Sequence, residues 1–182
     1  MIRIIIGKTF SGKTTLLKQM QEYTPAVWLT TRPIRKGEID GVDYYFKNEI
    51  GFHEEARNGC IVEQYDVYQD GMKTVWKYGL TLDALTGAKT SVIIDIDKLV
   101  KLTDMLLFNE VEFEILYVNT PEEEILRRIV DSDRSGEELL ETMRRLLDDT
   151  RKYIDIEEKL DKWGLSQYTI KYIEDNEEKN ND

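Results

Sequence analysis

The chain has 182 residues, a formal net charge of −11, 41% hydrophobic and 34% charged residues. That size carries one substantial core with no need of a second full domain; no apolar run approaches the ~20 residues of a membrane span, and the first segment is too short and too strand-like for a secretory signal. A single cysteine, Cys60, excludes an internal disulfide framework and fits a reducing cytoplasm, while the acidic balance argues against binding nucleic-acid polymers, which requires neutralising many phosphates.

Taken in chain order, Ile2-Arg3-Ile4-Ile5-Ile6 predicts a strand over 2–6. It leads into Gly7-Lys8-Thr9-Phe10-Ser11-Gly12-Lys13-Thr14, which fits G-x-x-x-x-G-K-[ST]. Glycines at this spacing let the backbone turn so that successive N–H groups face phosphate oxygens, Lys13 reaches the β- and γ-phosphates, and the Thr14 hydroxyl can ligand Mg²⁺. Gly7, Lys8, Ser11, Gly12, Lys13, Thr14 and Thr15 are therefore the candidate ATP contacts. The stripe Leu16, Leu17, Met20 predicts a helix over 13–22, whose positive dipole end lies beneath the phosphates. The alternative is a Gly/Ser/Thr turn with no ligand; the strand–loop–helix setting favours the phosphate reading.

Between Thr31 and Ala88 the texture changes. Short aromatic runs (Tyr44-Tyr45-Phe46, Cys60 to Tyr68, Met72 to Tyr78) are broken by Gly-containing turn signals, and Asp70-Gly71 predicts a hairpin. This is expected to be a small, mostly β insertion, with Cys60 a buried strand residue and the lone His53 a surface helix residue, neither spaced for a metal site. Alternation then resumes. Strands are predicted over 91–95, 113–118 and 168–173, helices over 98–108, 121–130 and 137–160, and a polar, fraying tail from Glu174. The pattern is that of an α/β protein with a parallel sheet. The strand Ser91-Val92-Ile93-Ile94 ends in Asp95 and Asp97 at the carboxyl edge, where ligands bind in such sheets. Residues two apart on a strand face one way, so both carboxylates can address one site; an N-cap role for Asp97 is the alternative.

Seven of the ten arginines fall in two places, Arg32 with Arg35, and Arg127, Arg128, Arg134, Arg144 and Arg145. Such clusters in an acidic protein suit small phosphorylated ligands. The segment Thr30-Thr31-Arg32-Pro33-Ile34-Arg35-Lys36-Gly37-Glu38-Ile39-Asp40-Gly41-Val42-Asp43-Tyr44-Tyr45-Phe46 places two arginine forks and a tyrosine hydroxyl in one Gly-punctuated loop. Its plain alternative is a solvated turn before an edge strand.

This segment resembles the guanylate kinases almost letter for letter, and the likeness runs on in order through Glu63, Tyr78-Gly79, Asp95-Ile96-Asp97 and Arg134 to Leu146. The resemblance implies a three-layer P-loop NTPase fold with a parallel β-sheet core (1–30, 89–121, 147–182), a small mostly-β monophosphate-binding insertion (31–88) and a helical lid (122–146). It implies ATP-dependent conversion of GMP or dGMP to the diphosphate, with Mg²⁺. Residues matching Arg32, Arg35, Tyr44 and Tyr78 would hold the acceptor phosphate, with Glu38 in the same set. Glu63 would read guanine, and Asp95 and Asp97 would sit in the nucleotide site; spacing does not decide which of the two serves the metal and which touches the acceptor, and Asp95 is taken with Thr14 as the metal pair. Lys13 and the lid arginines matching Arg134, Arg145 and Arg128 would be catalytic, although the Arg128–Arg134 spacing is longer than the family usually shows. The expected partners are small nucleotides, with no nucleic-acid polymer and no membrane, and the chain a monomer or a homodimer.

Two positions that usually carry Ser or Thr in the family are Trp28 and Leu80, with Thr81 beside the second. A site that loses hydrogen bonds to the base loses discrimination, so a (deoxy)nucleoside monophosphate kinase of altered base preference is the first alternative. A non-catalytic binding module is the second, opposed by the intact phosphate loop. A GTPase lacks its N-K-x-D motif here, and a sugar-phosphate kinase would leave Arg32, Arg35, Glu38, Tyr44 and Glu63 without a reason.

Overall fold

The computed structural model describes residues 1–35, 37–57, 60–69 and 72–172, with 60–69, 72 and 73 followed at the backbone alone. The elements in order are β1 (Ile2–Gly7), α1 (Lys13–Gln19), β2 (Thr24–Pro25), β3 (Trp28–Thr30), β4 (Tyr44–Phe46), α2 (Glu49–Ala56), β5 (Cys60–Gln69), β6 (Met72–Thr81), β7 (Thr90–Ile93), α3 (Ile96–Phe108), β8 (Phe113–Val118), α4 (Glu122–Val130), α5 (Gly136–Lys152), α6 (Ile156–Lys162) and β9 (Thr169–Tyr172). They fall into two compact units, Met1–Glu22 with the chain from Ser91 onward, and Tyr23–Thr90.

In the first unit the sheet runs in the order β7-β1-β8-β9. Strand β1 lies parallel to β8, Ile2 opposite Phe113 through Gly7 opposite Val118, and β8 lies parallel to β9. Consecutive Ile4, Ile5 and Ile6 are all 0% exposed. Neighbours on a strand point to opposite faces, so both faces of this sheet are covered, as an unbroken apolar strand requires. On one face Leu16 of α1 packs with Ile5, Leu116 and Val118. Arg3 and Glu114, side by side in the register, form an ion pair.

Three expectations need correction here. Strand β7 stops at Ile93, and Asp95 already caps α3, accepting from the Asp97 N–H at 3.1 Å. The cap is Asp95, not Asp97, and α3 begins two residues before the predicted start. Helix α1 ends at Gln19, because Met20 leaves helical geometry at ψ 68°. The single helix expected over 137–160 is two helices. Tyr153 turns inward, and Asp155 takes a left-handed φ of 53° before α6 starts. Aspartate tolerates that conformation better than most residues, so the break costs little.

The second unit is a four-stranded sheet in the order β4-β3-β6-β5. Strands β5 and β6 pair antiparallel from Cys60 opposite Thr81 to Gln69 opposite Met72. The flanking strands therefore form the expected hairpin, while its Asp70-Gly71 turn lies outside the described residues. Asn48 caps α2 by accepting from the Gly51 N–H at 2.8 Å, and His53 lies exposed on that helix. Cys60 opens β5; its side chain, like the tail from Glu174, lies outside the described residues.

Candidate functional site

The turn between β1 and α1 is built on two left-handed glycines, Gly7 at φ 154° and Gly12 at φ 96°, the latter immediately before the helix. A Cβ on Gly7 would lie 2.7 Å from Ser11 Oγ and 2.8 Å from the Val118 carbonyl. Gly7→Ala is therefore expected to destabilise the first unit by about 2–4 kcal/mol, read as a lower denaturant midpoint; an unchanged midpoint would show that this turn is not under constraint. Inside the loop Lys13 Nζ donates to the carbonyls of Gly7 (2.7 Å) and Lys8 (2.6 Å). Burial lowers the Lys13 pKa to about 8, the Asp149 and Asp95 charges opposing the shift and Arg145 adding to it. Ser11 Oγ is buried with no hydrogen-bond partner among the described residues. Thr14 and Thr15 sit exposed in the first turn of α1, where no side chain caps the helix. Lys8 reaches Glu122 at 2.7 Å.

The three arginines expected in a lid, Arg128, Arg134 and Arg145, lie near this loop. Arg128 donates to the Phe10 carbonyl at 3.4 Å while held by Glu124 at 2.8 Å. The Arg134 guanidinium lies over the Phe10 ring, 4.9 Å from its centroid, and donates to Thr142 at 2.6 Å. Arg145 is exposed and near enough to Lys13 to depress its pKa. Phe10, which sequence reading passed over, joins them. It takes a left-handed φ of 59° and, like Met143, packs against the cluster of Ile125, Ile129 and Leu146 from α4 and α5. Its signal was there: a large apolar side chain inside an otherwise small, polar loop.

Asp95 and Asp97 do converge, though from a cap and a first helical turn instead of a strand. Lys152 at the end of α5 holds Asp95 at 3.3 Å, Asp97 at 2.8 Å and Asp148 at 2.9 Å. Burial pulls the Lys152 pKa down, but the hydrogen bonds it donates to Asp97 and Asp148 and the Asp95 charge outweigh that and raise it. Lys152 was not foreseen, because nothing local in a helix of alternating charges marks one lysine.

In the second unit Arg32 is 3% exposed and forms a bidentate pair with Glu38, at 2.7 and 3.0 Å, with a further bond to the Pro33 carbonyl at 2.9 Å. Its guanidinium lies 5.2 Å from the Tyr44 ring centroid and 5.6 Å from that of Phe46. Tyr44 and Tyr78 meet edge to face at 5.8 Å. Burial, with Tyr78 adding to it, raises the Tyr44 pKa, so its hydroxyl stays a donor. Glu38 also accepts the Arg35 N–H at 2.7 Å, while the Arg35 side chain is exposed. Thr30 Oγ1 accepts from Arg32 N at 3.1 Å and donates to the Lys77 carbonyl, fixing the start of the loop against β6. Glu63 stands opposite Tyr78 in the β5–β6 register, its side chain outside the described set. Leu80 is fully buried and so fills core, and Trp28 on β3 is half-buried.

A sequence profile of guanylate kinases matches residues 2–162. The chain belongs to the guanylate kinase family. It is 28% identical over 132 residues to a guanylate kinase of Chlorobium luteolum, covering 70% of this chain and 65% of that protein. It is 33% identical over 99 residues to one of Symbiobacterium thermophilum, covering 52% and 46%. In these matches the chain spans less than two thirds of either relative's length. The crystal structure of guanylate kinase from Anaplasma phagocytophilum superposes with a TM-score of 0.52 at 23% identity, covering 97% of this chain and 77% of that one. That likeness places the fold, an α/β P-loop architecture. Among the described residues no helix is long and apolar enough to cross a membrane.

Proposed function

We propose that this chain is an ATP-dependent nucleoside monophosphate kinase that phosphorylates GMP or dGMP. The observation that carries the reading is the gathering of Lys13, Arg128, Arg134 and Arg145 around one strand–helix turn. Four cations converging on a loop of left-handed glycines suit a polyphosphate, since phosphoryl transfer asks a protein mainly to align groups and neutralise charge. The orphaned Ser11 hydroxyl fits the same ligand, because a buried polar atom without a partner calls for one. Lys13, now turned on two carbonyls, would swing to the β/γ-phosphates. Gly7, Lys8, Ser11, Gly12, Thr14 and Thr15 would complete the ATP cradle.

Mg²⁺ bound to a nucleotide keeps several waters and takes one or two protein oxygens. The exposed Thr14 hydroxyl fits that need, and Asp95 would contribute once Lys152 yields. Held there, Mg²⁺ would supply charge neutralisation for the phosphates. In the second unit Arg32, clamped by Glu38 and flanked by aromatic faces, with Arg35, Tyr44 and Tyr78, would hold the acceptor phosphate. Glu63 would complete the acceptor set of this unit, and Asp97, beside Asp95 in the first unit, would serve as a nucleotide contact there. No general base is needed, as a phosphate dianion is itself a nucleophile. The 31–88 segment would serve as the monophosphate-binding region and 122–146 as the lid that excludes water on closing.

Coupled ADP release across all common ribo- and deoxyribonucleoside monophosphates tests the reading. GMP and dGMP should give the highest kcat/KM. Turnover led by another base would overturn the guanine assignment, and no turnover with any of them defeats the kinase reading.

A further inference from the structure

Two side chains of the α5 end have no task in the reaction just described, yet both reach the phosphate loop. Tyr153, at the C-cap of α5 and 6% exposed, accepts the Gly7 N–H on its hydroxyl at 2.7 Å. One helical turn earlier, Asp149 accepts the Thr9 N–H at 2.5 Å. The Tyr153 ring is itself fixed, stacked on Tyr117 of β8 at 5.8 Å and 16°. Side chains four apart share one face of a helix, and Arg145 lies a further turn back on that same line. The two amides so held flank Lys8, whose carbonyl is one of the two acceptors of Lys13 Nζ. The helix end and the loop are thus joined by two hydrogen bonds from loop amides to side chains, one buried and one half-buried.

We propose that Asp149 and Tyr153 are positioning residues that pin the backbone of the phosphate loop to the helix carrying Arg145, setting loop and arginine in register before nucleotide arrives. The gain is preorganisation, because a loop already ordered loses less freedom when the phosphates bind. The nucleotide part of this inference rests on the kinase reading above; the pinning of the loop does not.

Three variants separate the effects. Tyr153→Phe keeps the ring and its stack on Tyr117 while removing the acceptor. Asp149→Ala removes acceptor and charge, and Asp149→Asn retains an acceptor oxygen. Affinity for MgADP by titration calorimetry, the melting temperature, and amide exchange at Gly7 and Thr9 are read together. Losing one buried bond to the loop should weaken MgADP about five- to tenfold in Tyr153→Phe and Asp149→Ala. The acceptor KM should hold steady and exchange at the freed amide should speed up. Asp149→Asn should stay within about threefold of the parent. A lower melting temperature with unchanged MgADP affinity would make both residues ordinary packing and overturn the proposal. If the parent protein itself bound no MgADP, the kinase reading would fail. The exchange data would still decide the pinning, which is refuted by unchanged exchange at Gly7 and Thr9.

Discussion

Lys13→Met is expected to lower phosphoryl transfer by about 10³-fold or more while leaving the protein at least as stable as its parent. The first half follows from the task proposed for the ammonium, which takes up charge on the moving phosphoryl group, an effect of this order where a charged donor is aimed at the transition state. The second half follows from burial. Lys13 has a pKa of about 8 against an ordinary 10.5 because its charged form is desolvated. The folded state therefore binds this proton less tightly than the unfolded chain, and its stability rises as the pH climbs from about 8 to 10.5. Methionine removes the penalty and keeps the length of the side chain. Thermal melts and coupled ADP release on the same samples check both halves. Parent-like turnover would remove Lys13 from the transfer step, and a large fall in melting temperature would show its two carbonyl contacts to be structural. The same shift predicts that ATP binding takes up protons near pH 8, because bound phosphates restore the lysine's charge, and that ATP affinity declines above it. Calorimetry in buffers of different ionisation enthalpy measures that uptake.

Arg32→Lys is expected to cut kcat/KM for the monophosphate by about 10²-fold with little change in ATP affinity. Lysine keeps the charge but loses the planar fork that meets Glu38 through two bonds and lies against the Tyr44 and Phe46 rings. Arg32→Ala should go further, and should also lower the melting temperature, since it removes the guanidinium that bonds Glu38 and the Pro33 carbonyl. The comparison that decides is Glu38→Gln. If Glu38 only steadies Arg32, this variant should raise the acceptor KM several-fold and leave kcat close to the parent value. An unchanged acceptor dependence in Arg32→Lys would move the acceptor phosphate elsewhere.

The phosphate loop, the strand before it and the helix after it could be read directly from residues 2–20, because their information is local. Glycine spacing reports backbone sign, and an apolar run reports burial on two faces. The paired strands β5 and β6 and the Arg32–Phe46 block were legible for the same reason, through turn residues and aromatic alternation. Asp149, Lys152 and Tyr153 were not. They look like the solvated end of an amphipathic helix, and their partners at Gly7, Thr9, Asp95 and Asp97 lie more than fifty positions away in the chain. The helix break at Asp155 was hidden likewise, since apolar spacing continues across it and the inward turn of Tyr153 is rewarded only by a distant amide. Leu80 marks the other side of the division. Its chemistry could be read as a departure from the family, but only the packing of the second unit makes it a core residue. Local backbone preference and periodicity travel with the sequence, whereas a hydrogen bond between remote segments exists only once the sheet has set their register.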